Sequence, residues 1–237
     1  MSIISANLQA VELAIAAAAE AAGRPVSAVQ LLAVSKTFPF EAVLDAMQTG
    51  QRAFGENYLQ EGVDKIAAVA AAAPGAQLEW HFIGPIQSNK TRPIAEHFAW
   101  VHAVDRLKIA QRLSEQRPAG MPPLNICLQV NISGEASKSG VAPDALPDLA
   151  RAVALLPNVR LRGLMAIPEP ESDAAKQHLP FARMRSLFEQ LQNDGLVLDT
   201  LSMGMSGDLA AAVAEGATIV RIGSAIFGNR DYHKEHA

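Results

Sequence analysis

The sequence predicts an α/β protein, a single (β/α)8 TIM barrel with an extra N-terminal helix, in which residues 1–237 form one domain. Three observations carry this. Eight short apolar segments alternate with helical patterns along the chain, the rhythm of parallel βα units. A length of 237 residues suits one such barrel. No Gly/Ser-rich linker and no tandem repeat divides the chain. A doubly wound open sheet is the alternative that the same alternation allows.

The elements follow in order. Residues 3–22 are apolar but carry Glu12 and Glu20 and lack a basic start, so they read as an amphipathic helix and not a signal peptide. Strand candidates lie near 30–36, 52–55, 79–83, 99–104, 124–131, 159–167, 198–203 and 218–222. Helical patterns fill the intervals near 40–49, 57–73, 88–97, 106–116, 143–156, 173–194 and 207–215. The runs "AIAAAAEAA" and "IAAVAAAAP" resemble low complexity, but alanine has the best helix propensity and charges interrupt them. The segment 131–147 is the expected mobile cover.

Composition narrows the function. Hydrophobic residues make up 49% of the chain, enough for a substantial core, and 19% are charged, which argues against disorder. A net charge of −4 without a basic block disfavours nucleic-acid binding. No apolar run reaches the length expected of a membrane span. One cysteine, Cys127, permits no internal disulfide, and a cytoplasmic location is the expectation.

A barrel of this kind carries its site at the C-terminal ends of its strands. Its interior needs bulky apolar residues, so polar ones should gather at the rim. Lys36 ends the first strand, after the apolar run "LLAVS". An amine in a partly desolvated pocket has a lowered pKa and attacks aldehydes to form a Schiff base. "MGMSGD" follows the seventh strand and "IGSAIFG" lies at the end of the eighth. Their glycines let backbone amides approach an anion, and these two loops are a common phosphate position in barrels. An aldehyde at one end and a phosphate at the other describe pyridoxal phosphate, although a sugar-phosphate aldolase uses the same pair. Arg221 stands beside the phosphate loop, where it reaches either a pyridine nitrogen or a carboxylate such as Asp208.

The segments "LLAVSKT", "FGENYLQE", "WHFIGPIQSNK", "GLMAIPEP", "LSMGMSGD" and "VRIGSAIFG" resemble, in order and across nearly the whole chain, the pyridoxal-phosphate homeostasis proteins. That family is similar in fold to the N-terminal domain of alanine racemases. The resemblance implies pyridoxal 5'-phosphate held on Lys36 as an imine, its phosphate at Ser206, Gly223 and Ser224 with the Met205 backbone nearby, and Arg221 facing the pyridine nitrogen. It also implies that Asn57, His81, Met165 and Ser202 line the ring pocket.

A carrier is the expected role, with storage or delivery to apo enzymes that need the cofactor. A two-base racemase needs an acid/base on each face of the cofactor. In the racemase relatives, one comes from a second domain of a partner subunit, and this chain ends soon after its eighth strand. Tyr58 reads as a helix-packing residue and Tyr232 as a surface residue. A racemase or decarboxylase is the alternative. Taken alone, His81 reads as a packed or hydrogen-bonded histidine near the rim. Lys90 and Lys138 are candidates for guiding an anionic cofactor to the mouth. "HKEH" at the C-terminus reads as a solvated tail and not a metal site. A monomer is expected.

Overall fold

The computed structural model describes residues 2–134 and 139–228. Lys138, Tyr232 and the "HKEH" tail lie outside the described residues. Eight parallel strands close a barrel in chain order: β1 (Gln30–Val34), β2 (Ala53–Glu56), β3 (Glu79–Phe82), β4 (Trp100–Val104), β5 (Leu124–Gln129), β6 (Val159–Met165), β7 (Thr200–Ser202) and β8 (Ile219–Ile222). β1 closes on β8 in the register Gln30↔Ile219 to Ala33↔Ile222. The doubly wound alternative is thereby excluded.

The helices are α1 (Ile3–Ala21), α2 (Phe40–Gln48), α3 (Leu59–Ala72), α4 (Thr91–His97), α5 (Leu107–Gln116), α6 (Leu146–Ala154), α7 (Ala174–Asn193), α8 (Leu209–Ala214) and α9 (Ser224–Phe227). They form the outer layer, and the main apolar core lies between them and the sheet. The short α9 was not anticipated, because four residues carry no period.

α1 is long and apolar enough to cross a membrane by length and composition, which corrects the sequence expectation. Here it packs on the barrel. Ser2 caps it, and its buried face (Leu8, Val11, Ile15, Ala19) recurs every three or four residues. Asn7 donates to Ile226 O at 2.9 Å, tying α1 to α9, and Arg24 donates to Val213 O at 2.6 Å, tying the segment after α1 to α8. The described parts of 131–147 are likewise anchored. Asn131 N and Val141 O, and Val141 N and Gln129 O, bond at 3.0 and 2.8 Å. Arg183 donates to Ile132 O at 3.1 Å.

The expectation of an apolar interior fails. Leu32, Ala53 and Ile219 form a small cluster of their own with Ile83. His81, His102, Ser202 and Arg221 are also buried, at no more than 5% exposure. His102 on β4 bonds Ser202 on β7, and these strands are not neighbours, so the contact crosses the lumen. The interior therefore holds a column of polar side chains.

Candidate functional site

The rim is built where β1 meets β8. β1 ends at Val34, and Ser35 N continues its ladder by one bond to Gly55 O at 3.1 Å. Lys36 is the next residue, half-buried, in a turn and not within the strand. Its two neighbours are held on both sides. Ser35 Oγ donates to Glu56 Oε1 at 2.6 Å, and Ser35 O accepts from Lys65 Nζ at 2.7 Å. Thr37 N donates to Glu61 Oε1 at 2.6 Å, and Thr37 has φ 68°, a left-handed conformation that costs a non-glycine residue energy. Lys65 Nζ also bonds Glu56 Oε1 at 2.7 Å and Glu61 Oε1 at 2.9 Å. One buried ammonium and two carboxylates thus set the backbone on either side of Lys36.

Sequence reasoning missed this triad. Glu61 and Lys65 are spaced i,i+4 on α3, which reads as a routine surface pair. Their partner Glu56 comes from β2, and only the fold shows that Lys65 and Glu56 are buried. Burial pushes the Glu56 carboxyl up, while the adjacent Lys65 opposes it.

The β8 side packs against the residues flanking Lys36. A side chain at Gly223 would place its Cβ 3.1 Å from Val34 O, so glycine lets the loop after β8 lie against the end of β1. Phe227 of α9 meets Phe38 with ring centroids 5.4 Å apart. Ser206 and Ser224 are exposed. Met205 N is already engaged by Asp208 Oδ1 at 2.6 Å. The Met205 backbone is therefore not a ready donor in this arrangement.

Arg221 is bonded to carbonyl and hydroxyl oxygens. Nη1 donates to Ser202 O at 2.6 Å and to Ser202 Oγ at 2.8 Å, and Nη2 donates to Ala166 O at 2.8 Å. Asp208 does not hydrogen-bond it. Burial lowers the Arg221 guanidinium to about 10, still charged at neutral pH. Three of its five N–H groups are committed, and two remain for an acceptor.

A cavity of about 420 Å³ opens at the mouth, lined by Asn57, Ile83, Gln129, Asn131, Ile167 and Met205 among others. A neighbouring one of about 450 Å³ shares Asn57 and reaches Tyr58 and Lys90. Asn57 is set there by Gly84, whose Cβ would fall 2.0 Å from Asn57 O. A third cavity of about 710 Å³, between α1 and the start of β1, lies at the opposite end of the strands. Sequence reasoning grouped His81, Met165 and Ser202 with the mouth. All three have no exposed surface, and they line none of these cavities, nor do Lys36, Arg221, Ser206, Gly223 and Ser224. Met165 and Ser202 are the last residues of β6 and β7, and His81 is the last but one of β3, so a place at a strand's end does not by itself expose a side chain at the mouth. Ser202 acts instead as acceptor for Arg221, and His81 joins Glu79 to His102.

Fold and rim define a parallel barrel with a lysine after its first strand and a buried arginine on its last. The family model described as the alanine racemase N-terminal domain matches residues 6–231. Within that fold, the chain belongs to the pyridoxal phosphate homeostasis protein family. It is 66% identical to the Pyridoxal phosphate homeostasis protein of Pseudomonas aeruginosa, covering 98% of both chains. It is 54% identical to the protein of that name from Escherichia coli K12, covering 99% of this chain and all of the other. The structure of PipY of Synechococcus elongatus with PLP bound superposes with a TM-score of 0.81, at 38% identity, over 95% of this chain and all of PipY.

Proposed function

We propose that this protein binds pyridoxal 5'-phosphate as a reversible Schiff base on Lys36 and serves intracellular homeostasis of that cofactor, by storage or delivery. The observation that carries the reading is the placement of Lys36, held on both sides just past the end of β1, the strand that packs along β8 with Arg221 on it and Gly223 after it, in a barrel similar to PipY, whose solved structure has PLP bound. The donor set fits the group. Arg221 offers two N–H groups to a ring acceptor, and Ser206, Gly223 and Ser224 supply exposed polar groups and close backbone approach for the phosphate. Asn57 borders the same mouth.

Bound there, the cofactor would supply an electrophilic imine and an aromatic ring able to delocalise electrons. The residues around it favour holding over turnover. Arg221 donates and cannot accept, so it keeps a facing ring nitrogen unprotonated and the ring a weak electron sink. Among the described residues, the one tyrosine, Tyr58, is half-exposed at the side cavity next to Lys90. An open mouth suits exchange with a receiving enzyme's lysine. A cytoplasmic, monomeric carrier without nucleic-acid or membrane partners fits this reading, with apo enzymes as recipients and Lys90 as an electrostatic guide.

The test is chemical. Protein loaded with pyridoxal 5'-phosphate is reduced with borohydride and mapped by peptide mass. The adduct is expected on Lys36 and absent in Lys36→Ala; an adduct spread evenly over surface lysines defeats the reading. Amino acids incubated with the loaded protein in deuterated water should keep their α-protons. Incorporation of α-deuterium would instead make it a racemase or a related enzyme.

A further inference from the structure

The polar column inside the barrel has a direction. Glu79 opens β3, and its carboxylate sits at the floor with 41% of its side chain exposed. His81, two residues on and facing the same way, bonds Glu79 Oε1 through Nε2 at 2.9 Å. His81 Nδ1 meets His102 Nε2 at 2.9 Å. His102 Nδ1 meets Ser202 Oγ at 2.8 Å, and Ser202 Oγ meets Arg221 Nη1 at 2.8 Å. His81 stacks on Trp100, with centroids 5.3 Å apart and planes 5° from parallel, which holds its ring orientation.

With both rings neutral, as burial favours, the chemistry of the groups leaves one assignment of protons. An ionised carboxylate only accepts, so His81 Nε2 carries a proton and donates to Glu79. A neutral His81 then accepts at Nδ1, and His102 donates from Nε2. His102 Nδ1 must accept, and the only hydrogen available to it is the Ser202 hydroxyl. That leaves a Ser202 lone pair for Arg221, which can only donate. Reversing the direction with neutral rings turns an unprotonated His81 nitrogen toward the carboxylate. We propose that Glu79, His81, His102 and Ser202 form a one-way hydrogen-bond chain that orients the Arg221 guanidinium from the floor of the barrel, making Glu79 a positioning residue for the mouth.

The proposal deepens the reading of Arg221 as the residue facing the cofactor ring. No proton needs to move. A cation at one end and a carboxylate at the other hold every member in one tautomer and one rotamer, and the two remaining N–H groups of Arg221 keep a fixed direction. Burial favours the neutral form of both rings, and for His102 the charge of Arg221 acts in the same sense.

Histidine side-chain 15N–1H correlation on the cofactor-free protein tests it, with His81 and His102 assigned by His81→Gln and His102→Gln. Both should be neutral Nε2–H tautomers at neutral pH. Glu79→Ala should shift the His102 signals, although Glu79 does not bond His102. It should also weaken pyridoxal 5'-phosphate binding about tenfold, the size of one lost hydrogen bond in a connected set. Glu79→Gln, whose amide oxygen accepts from the same Nε2–H, should keep both tautomers and recover most of the affinity. An Nδ1–H or doubly protonated ring at either position overturns the proposal. So does a Glu79→Ala variant with unchanged His102 signals. If the wild type fails to bind the cofactor, the functional reading falls, and the histidine signals alone decide the chain.

Discussion

Lys36 gains its position from neighbours held by a buried ionic cluster. The ammonium of Lys65 is nearly fully buried and satisfied by Glu56, Glu61 and the Ser35 carbonyl. Removing one partner of a buried pair leaves an uncompensated charge. Lys65→Met should therefore destabilise the protein by about 3–5 kcal/mol in urea unfolding. Replacing Glu56 by leucine in the same chain should recover part of that loss, because the pair is removed together. The double variant tests whether the triad orders the Lys36 loop. It should fold, yet form the borohydride-trapped adduct more slowly than wild type. An adduct rate equal to wild type would show that Thr37 and Ser35 hold the loop unaided.

At the scale of elements, the rim depends on close backbone approach. Gly84, after β3, lies against the Asn57 carbonyl after β2, and no Cβ fits there. Gly84→Ala must push these two exits apart, with an expected loss of about 2 kcal/mol by denaturant unfolding and weaker cofactor binding. Gly207→Ala is the control. A Cβ there meets nothing within 4 Å, and the backbone is not left-handed, so stability should change by less than about 0.5 kcal/mol. The α1 helix is anchored by Leu8, which is 1% exposed. Leu8→Ala should cost about 2–5 kcal/mol by the same measurement, the range for a buried leucine. A near-neutral Leu8→Ala would mean that α1 does not contribute to the barrel's cooperative unit.

At the scale of the molecule, the polar column ties stability to pH. His81 and His102 are held neutral by burial, below the ordinary histidine value of 6.5. The unfolded chain binds protons at both below that value and the folded one resists. Stability is therefore full above pH 6.5 and falls as pH drops through that value toward the folded pKa values. Each histidine contributes a slope of up to about 1.4 kcal/mol per pH unit. Glu79, held down to about 2 chiefly by the His81 hydrogen bond, adds a second loss below pH 4.5. Unfolding free energy measured from pH 8 to 5 should show the histidine slope, and His102→Gln should flatten it. A flat wild-type profile would contradict the buried neutral pair.

The sequence by itself determined the alternating α/β architecture and the chain positions of Lys36, Arg221 and the glycine loops near strand ends, and barrel closure settled the choice against an open sheet. Eight apolar segments alternating with helices admit few closed arrangements, and Lys36 and Gly223 follow the ends of two strands that become neighbours when β1 closes on β8. Only the tertiary structure decided how that rim is supported. Glu56 joins Lys65 across nine residues, His102 joins Ser202 across a hundred, and no local period records either pairing. The same limit explains His81, Met165 and Ser202. Residue type and strand position show that a side chain points inward, but its depth depends on what covers it. That cover comes from strands and loops far away in the sequence, brought together by barrel closure.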